Sequence, residues 1–236
     1  MDVLSIIAWV SLGLGVLSSV IIYVDIQMGR YQPMAIMNIA WPITALFIWP
    51  IALGMYFCVA RASAQGAMNK CQSSKASNDQ CAMHKSSINY KSLYISSTHC
   101  ASGCSLADMI GETFIYICGL TIAGSFLWMG FAVDYGLALL FGLAFQFYSI
   151  KPMQPELTTW QVLKQAFKAD ILSLTSFQVG MYAWMFISVF LLFDQRINAG
   201  DPIFWFMMQI AMIFGMLTTM PVNYVLIRCG IKHACA

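Results

Sequence analysis

The stretch THCASGCSLADMIGE, residues 98–112, places a histidine, two cysteines and two carboxylates in one short segment, and about twenty apolar residues follow it. How these two pieces join decides the fold. An apolar run that long, at 1.5 Å per helical residue, reaches across a hydrocarbon core of about 30 Å. The cluster of metal-capable groups therefore stands at the mouth of a membrane span or inside it.

The rest of the chain supports a lipid environment. Its 236 residues are 60% hydrophobic and 9% charged, and mean hydropathy is +0.72. A soluble domain carries about 25% charged residues, so a chain like this has no aqueous way to hide its apolar surface. The net charge of +2 is too small to suggest a nucleic-acid partner. Six apolar stretches are placed at about 3–23, 34–60, 105–131, 135–150, 170–193 and 203–228. None alternates apolar and polar residues as barrel strands do, so the expected fold is an all-α, polytopic membrane helix bundle in one domain. Asp2 precedes the first stretch where a signal peptide would carry basic residues, so this stretch is read as a retained helix.

With six spans, every Lys and Arg except Arg30 and Arg196 falls on one side, together with both termini. The positive-inside rule makes that side the cytoplasm, and the expected location is the cytoplasmic (inner) membrane. Residues 62–97 are polar and without helical period, and read as a flexible cytoplasmic loop. Leu157, Trp160, Leu163 and Phe167 recur at helical spacing, which predicts a short helix at the cytoplasmic lipid surface over about 157–168.

The candidate site residues begin with His99, Cys100, Cys104, Asp108 and Glu112. A cytoplasmic mouth keeps cysteines reduced, so thiols are expected. Cys100, Cys104, Asp108 and Glu112 stand four apart, which on one helix makes a ladder of soft ligands followed by hard ones. Ser105-Leu106-Ala107-Asp108 is also a capping box. On that reading a helix starts at Ser105, His99 and Cys100 lie in the loop, and Asp108 only satisfies the helix start. Glu112 then lies about two turns inside, where a carboxylate is costly and marks function. Cys81, Met83 and His84 form a second loose set of soft groups.

Other polar groups interrupt the spans. Asp25 and Arg30 read as a local pair, and Asn38, Asp170, Gln178, Gln209 and Asn223 as an intramembrane polar network. Pro42 kinks the second span. In the last span, Met208, Met212, Met216 and Met220 repeat every four residues. Thioethers suit Cu(I), and such a stripe reads either as a pathway or as flexible core packing.

NIAWPITAL (38–46), the opening stretch, LKQAFKADILSLTSFQVGMYAWM (163–185) and FWFMMQIAMIFGMLTTMPVNYVLIRCGIK (204–232) resemble the prokaryotic integral membrane family called domain of unknown function 4396. The resemblance covers nearly all of the chain outside residues 62–97. It implies a compact helical membrane protein and no established activity. It also implies a His-rich tract before the His-Cys motif, of which this chain has only His84 with Cys71, Cys81 and Met83 nearby.

The expected function is binding of a transition metal, copper as Cu(I) first with zinc or iron next, and its transport or delivery. The alternative is a non-catalytic structural subunit of a larger membrane complex or a homo-oligomer. No diiron motif and no GxxxxGK[ST] appear, so an enzyme or a nucleotide-driven pump is disfavoured.

Overall fold

The computed structural model describes residues 3–32, 36–61, 90–122, 124–153, 158–194 and 197–229, and among these it is all-helical. Most of the segment read as a loop, including Cys71, Cys81, Met83 and His84, lies outside the described residues.

The first helix, α1 (Val3–Gln27), is apolar on every side and ends at Gly29, whose φ of +93° suits glycine. The second apolar stretch does not make one helix. It forms α2 (Met37–Phe47) and α3 (Trp49–Met55), the latter continuing as a π-helical turn over Tyr56–Ala60. Pro50 explains the break. It has no N–H to give the carbonyl four residues back. Ile48 leaves the helical region at φ −109°, ψ 39°. The carbonyl left without its helical donor is that of Leu46, and Gln209 Nε2 donates to it at 2.9 Å.

After Ile48 the chain folds back. Trp41 of α2 meets Tyr56 edge-on with ring centroids 5.7 Å apart. Trp49 Nε1 donates to Ser11 Oγ at 3.2 Å, and Tyr56 Oη donates to Asp25 Oδ2 at 2.9 Å. Arg61 and Arg30 both reach Asp25, at 3.2 and 2.6 Å. The expected local pair is thus one part of a larger knot that ties the end of α3 to the end of α1.

The next helix, α4 (Tyr90–Cys118), is 29 residues long and starts fifteen residues before the expected capping box. Residues 90–97 are helical, and so are His99 and Cys100. Ser105 sits inside the helix, with its hydroxyl on Met212 Sδ at 3.6 Å. Gly119 at φ +64° ends α4, with Leu120 N bonded to Ile115 O at 3.2 Å. Ser125 Oγ accepts from Leu127 N at 3.3 Å and starts α5 (Phe126–Met153). The expected spans 105–131 and 135–150 are therefore redrawn, with their boundary moved from about 132–134 to the turn at 119–125.

The surface helix expected over 157–168 is the first part of a longer helix, α6 (Thr159–Phe186), capped by Thr158 and Gln161 and extended by a π turn over Ile187–Leu192. Helix α7 (Pro202–Arg228) completes the bundle. Among the described residues, four helical segments are long and apolar enough to cross a membrane: Val3–Gln27, Phe126–Tyr148, Asp170–Leu192 and Pro202–Arg228. The exposed large side chains along them fit a lipid bilayer.

Helices α4 to α7 run antiparallel in sequence order. Gly103 packs against the backbone of Gly142, where a Cβ would lie 3.4 Å from the Gly142 nitrogen. Between α6 and α7, Ser176 Oγ donates to Thr218 O and Thr218 Oγ1 to Ser176 O, both at 2.8 Å. These reciprocal bonds between small residues allow the close approach that membrane helices use. Gly180 sits at the same contact, where a Cβ would fall 2.8 Å from Phe214 O and closer still to Thr218.

Gly180→Val should therefore cost about 1–3 kcal/mol through overpacking. Gly13→Ala, where a Cβ meets nothing within 4 Å, should leave stability unchanged or raise it by about 0.5–1 kcal/mol. Thermal unfolding of both variants in one detergent compares them.

Candidate functional site: a polar helix at the centre of the bundle

Helix α4 is the least membrane-like of the long helices by composition and the most enclosed by position. Ser96, Ser97, Thr98, His99, Cys100, Ser102, Cys104, Ser105, Asp108 and Glu112 are all buried, none more than 5% exposed. Ser97 and Thr98 hydroxyls return to the carbonyls of Leu93 and Tyr94 at 3.0 Å, so the helix satisfies part of its own polarity. Neighbouring helices supply the rest. Asn223 Nδ2 of α7 donates to Ser97 Oγ at 3.0 Å.

The carboxyls sit in seats made by glycine. Glu112 of α4 lies against Gly130 of α5, and Asp134 of α5 lies against Gly111 of α4. In each case a Cβ on the glycine would collide with the carboxyl. The two acids exchange places across one helix pair and come within hydrogen-bond reach of each other. Asp170 of α6 repeats the pattern: a Cβ on Gly142 of α5 would lie 2.7 Å from its Oδ2. Asp108 stands one turn from Glu112 and faces Gln178 of α6. Asp108, Glu112, Asp134 and Asp170 are at most 5% exposed, and among the described residues no Lys or Arg is buried with them.

Asp134 was not among the residues expected from the sequence. It lies in FAVDYGLA (131–138), within the short connection expected over 132–134 between two spans. An acid within an apolar run was the available signal.

The expected metal ligands all lie on α4. Cys100 and Cys104 are free thiols that approach each other, and Cys104 lies near Asp108 and Asp170. The His99 ring stands 6.1 Å from that of Phe145 on α5. Among the described residues, no three His, Cys, Asp or Glu side chains come together as a metal-holding group. Met208, Met212 and Met216 are buried in the core and Met220 is half-buried. The stripe is thus turned inward, where Met212 meets Ser105.

Of the expected polar network, Asn223 joins α4. Gln209 instead holds the tip of the α2–α3 hairpin, with its Oε1 accepting from Ser11 Oγ at 2.6 Å. Asn38 Oδ1 accepts from Gln32 N at 2.8 Å and serves the connection before α2.

The helix start at Tyr90 also changes where Glu112 lies. It is six residues, about 9 Å, from the end of α4 at Cys118. A cavity of about 160 Å³ reaches it from that end, lined by Glu112, Tyr116, Ser125, Phe126, Asn198 and Phe204.

Residues 89–232 match the family described as a domain of unknown function, number 4396. The chain belongs to that family. The matched region holds α4 to α7 and all four buried carboxyls, and it leaves out α1 to α3, including NIAWPITAL. No curated protein and no solved structure matches the chain.

Gly111→Ala should destabilise the protein by about 1–3 kcal/mol, because the new methyl meets Asp134. Asp134→Ala in the same chain should restore most of that loss. A double-mutant cycle of unfolding temperatures reads the coupling, which should reach at least about 0.5 kcal/mol.

Proposed function

We propose that this family member binds a cation within the membrane and passes it along α4, with Cu(I) the first cargo, zinc and iron the next, and protons exchanging on the carboxyls. One observation carries the reading: Asp108, Glu112 and Asp134 are buried close together, and among the described residues no Lys or Arg is buried with these three. A carboxylate in a low-dielectric interior needs a proton, a metal ion or a basic partner. For Asp108, Glu112 and Asp134, protons and cations are the partners this reading assigns.

The neighbouring groups incline the cargo toward a soft ion. Cys100 and Cys104 approach each other, and Met212 lies against the same helix. Thiolate and thioether select Cu(I) over harder metals. The spread of the acids along α4 favours sites of few ligands each, occupied in turn, over a resident metal centre. Conduction requires such weak successive sites.

The test is transport by the full-length protein in proteoliposomes. Cu(I), Zn(II), Fe(II) and H⁺ are offered separately to wild type, Asp108→Asn, Asp134→Asn and the Cys100→Ser/Cys104→Ser double variant. The carboxyl variants should lose at least about tenfold in flux, the scale of one lost charged interaction. The thiol variant should lose Cu(I) movement and keep proton movement. Flux no greater than that of empty liposomes for every ion, or carboxyl variants indistinguishable from wild type, overturns the reading.

A further inference from the structure

We infer that α2 and α3 form a re-entrant hairpin that enters the membrane and leaves on the same face, so that the chain crosses five times, through α1, α4, α5, α6 and α7. Contacts along α1 fix the path. Leu46, near the tip, lies against Gly15 in the middle of α1, and Trp49, just past the tip, bonds to Ser11. From there the chain does not go on toward Val3. It returns, and Tyr56 and Arg61 reach Asp25, near the end of α1 from which α2 also departs. The Trp41–Tyr56 contact brackets the reversal at Ile48.

Length agrees. The eleven residues of α2 rise about 16 Å, half of a 30 Å core. Broken backbone at membrane depth is tolerated only when protein covers it. Ile48 is 1% exposed, and Gln209 takes the Leu46 carbonyl that Pro50 strands.

Charge gives an independent check. If α2–α3 crossed fully, Arg30 and Arg61 would lie on opposite faces, although both bond to Asp25. With the hairpin re-entrant, Arg30 joins the basic face, and of the 12 Lys and Arg only Arg196 remains opposite. The positive-inside rule then makes the basic face cytoplasmic. The Val3 end of α1 lies outside and the Arg228 end of α7 inside, where the six-span reading placed both ends in the cytoplasm.

This sidedness orients the proposed cation route and, to that extent, rests on it. The cavity over Glu112 belongs to the end of α4 with the turn at 119–125, which is the outer face. His99, Cys100 and Asn223 belong to the half nearer the cytoplasm. Carboxyls meet the ion first and thiols receive it, the order of an uptake path.

Three full-length proteins test the topology, each with one epitope: ahead of Val3, after Gly29, or after Arg228. Antibody is applied to intact spheroplasts and to permeabilised ones. The epitope ahead of Val3 should be reached in intact spheroplasts, and the other two only after permeabilisation. If the first and last epitopes share a face and the Gly29 epitope takes the other, α2–α3 crosses fully and the inference is overturned. It is equally overturned if all three share a face. The result does not depend on flux, so failed transport with opposite-facing ends removes the cation route and keeps the topology.

Discussion

A helix that carries hydroxyls, thiols and carboxyls cannot face lipid, and this constraint on α4 organises the bundle. Four helices meet the polar groups of α4: α2 through Trp41 on Tyr94, α5 through the glycine seats, α6 at Asp108 and Gln178, and α7 at Ser105 and Ser97. The outer helices are apolar over most of their length and turn their few polar groups inward, Asp134 on α5 and Asp170 and Gln178 on α6. The polar helix turns apolar where it does reach the surface, at Ile110, Phe114 and Ile117. This division explains why composition alone picks out four membrane-crossing segments and passes over the helix at their centre.

Glycine makes the burial of acids sterically possible. Helices in close contact leave little room between their backbones for a carboxyl, and a Cβ on the facing residue removes what remains. Gly111 and Gly130 clear that room on both sides of one helix pair, and Gly142 clears it for Asp170. The three seats lie on two helices, and α5 carries two of them. The same small residues that bring α4 and α5 together therefore also admit the acids between them.

The apolar runs made the membrane class and the helical fold legible, and the spacing of Met208, Met212 and Met216 put them on one side of a helix. Boundaries were less legible, for physical reasons. Residues 90–104 have the composition of a loop, because polarity signals exposure only when water is the surroundings. Ser105 and Asp108 have capping spacing, but a capping box acts only where the preceding residue leaves helical backbone, and here Cys104 is buried helix. Gly119 and Gly124 were the signals for the turn that divides α4 from α5. Pro50 marked a stop within the second span, where Pro42 drew the attention. Pro42 remains inside α2, while Pro50 opens α3 after the chain has turned. Asp134 was hidden by the misplaced span boundary, since an acid assigned to a connection calls for no partner.

The family match gives the hairpin its meaning. Residues 89–232 contain α4 and the three helices that enclose it on one side, with all four carboxyls. They do not contain Trp41, which stacks on Tyr94, or Leu46, whose carbonyl holds Gln209. The family region therefore carries the acids but leaves one flank of its polar helix to other residues. In this chain α1 and the hairpin cover that flank, and Gln209 couples the two parts by bonding to Leu46 and Ser11 at once. A half-depth hairpin suits this role. It covers the part of α4 around Tyr94 and stops near Gly15, leaving the opposite end of α4, where Glu112 meets its cavity, to α5 and α7.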